Sequence, residues 1–238
     1  DISMNTIVTN KTLMRTVCNW VRKQGVTNND PFFGYDMPKA LYGTPYFLTI
    51  QERDQVLDAD LTDDAELAEY RDMFVFQCMV GCRHSDLVTF TPKNIIDGVL
   101  EYIPIKTKGK LGDVVRVPLI PKAMAILDGH DHGDDEPIFP KHYNFKFNDA
   151  IRRILKRAKV NRVVTVINPK TRLEEKKPIS DVATSHLARR TFIGNLYRMV
   201  KDPDLVASMS GHAKGSVAFA RYRVIDDDMK KSLVELIQ

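Results

Sequence analysis

Residues 73–80 read Met-Phe-Val-Phe-Gln-Cys-Met-Val and close a helical segment predicted over 65–80. A helix that is apolar on nearly every side cannot lie on a surface, so this one must be central and buried. Gly81 follows it as a natural C-terminal stop, and Ser85 can cap the next helix. Arg83 therefore falls in a tight corner between two helices. Cys78 and Cys82 lie in or just after the apolar run, where buried free thiols are expected. With Cys18 they are too few and too scattered for a disulfide framework, and a reducing cytoplasm fits.

The remaining segments give a mainly α chain with a small β-sheet (α+β). Residues 9–24 carry Leu13, Val17, Trp20 and Val21 on one helical stripe. Gly25 stops that helix, and Pro31, Gly34, Pro38, Gly43 and Pro45 mark a linker. Thr49 with Glu52 makes a capping-box start for a helix reaching about Leu57. Residues 99–105 and 113–119 alternate like strands around Lys-Thr-Lys-Gly-Lys-Leu-Gly, which suggests a hairpin with a basic tip. Residues 145–159 form an amphipathic helix, with Ile151, Ile154, Leu155 and Ala158 apolar and Arg152, Arg153, Lys156 and Arg157 facing elsewhere. Residues 163–167 read as a strand. Helices follow at about 184–200, 203–210 and 216–223, with a last one from about 226.

Composition narrows the class. Apolar residues make up 43% and charged residues 28%, the balance of an ordinary soluble globular protein. No apolar run approaches the roughly 18 residues of a membrane span, and residues 1–30 show no signal-peptide pattern. The chain starts without methionine and is read as a piece of something longer. The net charge of +4 is modest, but residues 51–72 hold nine acids against two bases, and 141–177 hold twelve bases against three acids. A basic surface of that kind is where a phosphate polymer would be held.

Near the C-terminus three pieces stand in order. His186 and Arg189, three apart on one helix and preceded by the capping candidates Thr184 and Ser185, can address one phosphate. Gly211-His212 ends a helix and projects an imidazole. Arg221-Tyr222 follows ten residues later. Together with Gly81-Cys82-Arg83-His84-Ser85-Asp86-Leu87 upstream, this order resembles the tyrosine recombinase (phage integrase) family from roughly Pro45 to the end. The general style is that of integrases of bacterial mobile elements.

The resemblance implies a DNA-breaking-rejoining catalytic-domain fold over 46–238, a linker over 31–45, and in 1–30 the remnant helix of an N-terminal core-binding domain. It implies DNA cleavage and rejoining through a 3′-phosphotyrosyl bond at Tyr222, with neither metal nor ATP and with no cofactor. Arg83 and Arg189 would hold the phosphate, since guanidiniums stay charged and donate in a planar fork. His186 and His212 would donate hydrogen bonds or shuttle protons, because imidazole titrates near neutrality. A hairpin lysine would protonate the leaving 5′-oxygen. Lys106, at the end of its strand and before a threonine, is preferred over Lys108, and Lys110 is also on the hairpin. Asp86 occupies the position of a buttressing acid where glutamate is commoner, so a shorter side chain must reach. Arg190 would be structural or touch phosphate. Lys108, Arg152, Arg153 and Lys156 are further DNA-binding candidates.

The implied partner is double-stranded DNA bound by a homotetramer on paired sites, with a monomer possible without DNA and no membrane. The tail, with Asp226, Asp227 and Asp228 before the stripe Met229, Leu233, Leu236 and Ile237, would dock on a neighbouring protomer. The implied setting is a bacterial cytoplasm, at the nucleoid during action. Two readings compete: a type IB topoisomerase and a non-catalytic DNA-binding protein of the same fold. His130-Asp131-His132-Gly133-Asp134-Asp135-Glu136 lacks the spacing of a zinc motif and reads as a polar loop. Trp20, Phe32 and Phe33 read as packing residues rather than base-stacking ones.

Overall fold

The computed structural model describes residues 2–107, 114–130, 133–212 and 234–235. In chain order its helices are α1 (Met4–Lys23), α2 (Ile50–Leu57), α3 (Ala65–Val80), α4 (His84–Leu87), α5 (Pro121–Asp128), α6 (Asn144–Arg157), α7 (Ile179–Val182), α8 (Ser185–Val200) and α9 (Pro203–Ser210). The strands are β1 (Ile95–Ile96), β2 (Val99–Tyr102), β3 (Val115–Pro118), β4 (Val163–Ile167) and β5 (Glu174–Pro178). The chain divides into two compact units, Asp1–Thr44 with Thr165–Lys177, and Pro45–Val164 with Pro178–Gln238. Among the described residues no helix is long and apolar enough to cross a membrane.

The first unit combines α1 with the paired strands β4 and β5. Helix α1 starts five residues before the predicted Thr9, because the Ser3 hydroxyl accepts the Thr6 amide and caps it there. Residues 38–43 form neither helix nor strand, yet the Asn5 side chain bonds the Leu41 backbone in both directions and Arg172 reaches the Lys39 carbonyl. The predicted apolar stripe of α1 is not covered. Leu13, Val17 and Trp20 are exposed, Trp20 at 61%, and only Val8 of the helix is buried. Trp20 and Phe33 are therefore outside any core, which leaves packing between domains as the part of their reading that stands, while Phe32 meets Tyr35 edge-on. Segment 165–177 groups with this unit although the sequence assigned it to the stretch from 46 onward. Strand β5, rich in charge, carries no apolar alternation by which it could be recognised.

The second unit is organised around α3, which packs most extensively on α8 and also on α6, α2 and α5. Met73, Phe74, Val75, Phe76 and Val80 have no exposed surface, so the apolar run is central as its pattern requires. The Thr49–Glu52 capping box starts α2 where predicted. The hairpin is part of a three-stranded antiparallel sheet, β1-β2-β3, with Leu100 opposite Val117 and Tyr102 opposite Val115. These four side chains are buried and give the sheet one packed face. Asp97 and Gly98 both have positive φ, the backbone of a tight two-residue turn, and that turn adds β1. Strand β2 stops at Tyr102, short of the expected residue 105, and residues Ile105–Thr107 wind into a 3₁₀ turn after Pro104.

Phe76 packs on Phe139 with ring centroids 5.4 Å apart inside this core. Phe76→Ala should lower unfolding free energy by about 3–5 kcal/mol, read as a shift in the denaturant midpoint at unchanged slope.

Candidate active site

Gly81 ends α3 in the left-handed conformation at φ 69°, and a Cβ there would lie 2.3 Å from Cδ1 of Phe192 on α8. Only glycine allows both the turn and the approach of the two helices. The approach brings the Gly81 carbonyl to 2.7 Å from Nη1 of Arg189. Gln77 Nε2 donates to the Cys82 carbonyl and braces the same turn. Burial pushes the Cys78 and Cys82 thiols up, which keeps them protonated and inert. Arg83 is extended and serves as the N-cap of α4, so Ser85 lies inside that helix instead of capping it.

Asp86 is buried and accepts the Ile105 amide on Oδ1 at 2.9 Å. Its other oxygen stands 3.9 Å from Arg83 Nη1, an ion pair without a hydrogen bond. The shorter carboxylate thus reaches the hairpin but stops short of the guanidinium. Arg83 Nη1 and Asp86 Oδ2 are left buried without hydrogen-bond partners. Lys106, directly after the anchored Ile105, is exposed in the 3₁₀ turn.

Helix α8 is capped from α6. The Ser185 amide donates to Asn148 Oδ1 and its hydroxyl to Asn144 Oδ1, while the Thr184 side chain makes no capping bond. His186 is exposed at this end. Arg189, one helical turn on, is 2% exposed. Arg190 lies over the Tyr46 ring, 5.1 Å from its centroid. Helix α9 ends at Gly211, φ 64°, where a Cβ would meet Val115 and Pro104 of the hairpin at 3.0 and 3.2 Å. The next amide, of His212, donates back to the Ala207 carbonyl and fixes the backbone of that turn. The His212 ring then faces Arg189 Nη2 and the Ser210 hydroxyl.

Burial, followed by the charges of Arg189, Arg83 and His186, pushes His212 down to about 3. One imidazole thus senses the other three groups, and Arg83, His186, Arg189 and His212 form a single electrostatic cluster. Without a bound anion the ring is thus neutral near pH 7, where an ordinary imidazole is poised to titrate. The sequence did not single out the residues that hold the cluster: Gln77, Asn144, Asn148 and Ser210. Ser210, directly before Gly211-His212, and the i,i+4 pair Asn144 and Asn148 carried the only available signals.

The sequence profile of the phage integrase family matches residues 46–229. The chain belongs to the phage integrase family. It is accordingly a tyrosine recombinase, an enzyme of site-specific DNA recombination. Among solved structures, this integrase resembles that of transposon Tn1549 in complex with a circular intermediate DNA, at 17% identity and TM-score 0.68, over 98% of this chain and 79% of that one. It resembles a lambda integrase dimer bound to a core site at 16% identity and TM-score 0.60, over 91% and 71%. The XerA recombinase is similar at 16% and TM-score 0.57, over 87% and 72%. No curated protein sequence matches the chain.

Tyr222, Lys108, Lys110 and nearly all of the 226–238 tail lie outside the described residues. Arg152, Arg153 and Lys156, toward the far end of α6 from its Ser185 contacts, pair with Asp149, Asp64 and Asp181. Arg157 pairs with Asp63 and Arg162 with Glu52. Arg153, Arg157 and Arg162 of the basic stretch therefore face the acidic one, so that this part is not a uniformly positive surface. His130 sits 3.6 Å from Asp72, and no metal-holding group of three or more ligands occurs among the described residues.

The depressed His212 value has a consequence for stability. The unfolded ring, at its ordinary 6.5, binds a proton before the folded one does. The ring's contribution is therefore complete above pH 6.5 and is lost as pH falls from there toward about 3. The stability gap between wild type and His212→Gln should narrow steadily through that window in thermal melts. A gap independent of pH would mean that the folded ring titrates normally.

Proposed function

We propose that this integrase cleaves and rejoins duplex DNA at the Arg83–His186–Arg189–His212 cluster, with Tyr222 as nucleophile. The observation that carries the reading is the buried, acceptor-less Nη1 of Arg83 in the same electrostatic cluster as the enclosed guanidinium of Arg189. Buried donors without a protein acceptor are uncommon in folded proteins and mark a place where an anion can be held. A scissile phosphate supplies the acceptors. Its pentacovalent transition state gathers further negative charge on the non-bridging oxygens, where two guanidinium forks stabilise it. The Tyr222 phenol gives up its proton to the His186 imidazole, and its oxygen bonds to phosphorus as the phosphorus–5′-oxygen bond breaks. Lys106 protonates the departing oxygen, and the new phosphotyrosyl bond retains the energy needed for a second 5′-hydroxyl to reverse the step.

Residues 46–238 form the catalytic domain in this reading, and 1–30 belong to a second domain that completes the grip on DNA. Four chains act on paired sites. The DNA carried by the transposon and lambda relatives supports duplex DNA as the partner.

Nicked duplexes tiling the DNA that flanks the coding region provide the test, with covalent protein–DNA adducts resolved on denaturing gels. Wild type should form adducts, and Tyr222→Phe should form none while binding equally. Arg83→Lys and Arg189→Lys should each slow cleavage about 100–1,000-fold. A 5′-bridging phosphorothiolate, whose leaving group needs no proton, should rescue Lys106→Ala but not Arg189→Ala. Adducts in Tyr222→Phe would overturn the assignment, and plasmid relaxation without site preference would mark a topoisomerase instead.

A further inference from the structure

Ser210, the last residue of α9, is completely buried. Its Oγ lies 2.7 Å from the Val206 carbonyl oxygen, 3.3 Å from that of Ala207 and 2.9 Å from Nδ1 of His212. A hydroxyl has one proton, and a carbonyl oxygen has none to offer. A separation of 2.7 Å between hydroxyl and carbonyl requires the proton to lie between them, the usual back-bond of a helical serine to residue i−4. Toward His212 the hydroxyl therefore presents a lone pair, and the 2.9 Å contact is a hydrogen bond only when Nδ1 carries the ring proton.

We propose that Ser210 is a positioning residue that holds His212 as its Nδ1–H tautomer and so fixes the ring that lies against the guanidinium of Arg189. Arg189 Nη2 is 3.0 Å from Nδ1 and 3.2 Å from Nε2. The two ring lone pairs diverge, so a nitrogen this close to both ring nitrogens lies against the ring and on neither lone-pair axis. Arg189 is then held at Nη1 by the Gly81 carbonyl, with Nη2 resting against the His212 ring. His212 in this state acts through the guanidinium, by fixing the ring against which Nη2 rests. The His212 backbone is fixed by its amide bond to Ala207, so loss of the hydroxyl would release the tautomer rather than the turn.

The effect of Ser210 on cleavage rests on the reading of Arg189 as a phosphate ligand, but the tautomer does not, and it can be measured on the 238-residue chain without DNA. The chain carries six histidines. Labelling them with ¹⁵N and recording long-range ¹H–¹⁵N correlations at pH 7 reports the protonated nitrogen of each ring. His212→Gln identifies the His212 signals. Wild type should show Nδ1 protonated and Nε2 bare. Ser210→Ala should shift His212 toward the Nε2–H form while the other histidines keep their signals, and Ser210→Thr, which keeps the hydroxyl, should restore the wild-type pattern. Cleavage of the nicked substrate should fall about tenfold in Ser210→Ala at unchanged DNA affinity. A wild-type His212 protonated on Nε2 would overturn the proposal, whether or not the alanine variant folds. So would an Nδ1–H ring that persists in folded Ser210→Ala. Failure of every variant, wild type included, to cleave DNA would count against the recombination reading and leave the tautomer result standing.

Discussion

A guanidinium enclosed by protein keeps its charge, so the fold must offer it acceptors at the cost of specific backbone geometry. For Arg189 the decisive acceptor is the Gly81 carbonyl. That carbonyl points at α8 because Gly81 adopts a left-handed turn, and it lies close enough because no Cβ separates it from Phe192. The contact thus depends on the extensive packing of α3 on α8, and that packing depends on the apolar run that makes α3 central. A carbonyl and a neutral imidazole orient a guanidinium without cancelling its charge, which a carboxylate would do. The same constraint links the core to the chemistry: a residue buried for packing, a glycine required by sterics and a cation that keeps its full charge meet at one turn.

The distribution of charge supports this concentration of positive potential in the corner. The basic groups on the outer face of α6 and beyond it are paired with the acidic segment that precedes and opens α3. Exposed pairs of this kind contribute about 0–1 kcal/mol each, so phosphates could compete for them. They nevertheless reduce the field that the sequence count of twelve bases suggests. By contrast, the charges of Arg83, His186 and Arg189 act jointly on the half-buried ring of His212.

What could be read from the sequence was local. The bounds of α2 and α3 follow from caps and from Gly81, signals that lie within a turn of the positions they determine. The order of Arg83, His186, Arg189 and His212 was legible as well, because each is marked by a glycine or by helical spacing. Features that depend on distant partners were not. The cap of α8 comes from Asn144 and Asn148, some forty residues upstream in sequence. The neutrality of His212 follows from burial and from three charges brought there by other elements. The exposure of Trp20 reflects a first unit that covers little of α1, which no periodicity within the helix could disclose.

Asp86 shows how one short side chain joins the separate parts of the site. Its Oδ1 holds the Ile105 amide and so anchors the chain one residue before Lys106. Its Oδ2 faces Arg83 at 3.9 Å, near enough to attract the guanidinium and too far to occupy its proton. A longer carboxylate that closed that gap would satisfy Arg83 internally and remove an unspent donor from the corner. The aspartate keeps the hairpin tied to the corner, while the donor on Arg83 stays available to an incoming anion. Gly211 acts on the same hairpin from the other side, since a Cβ there would press on Val115 and Pro104. The turn that carries His212 and the strand ends that lead to Lys106 are therefore packed against each other. A shift in the hairpin would be felt at once by the acid that faces Arg83 and by the turn that presents His212 to Arg189.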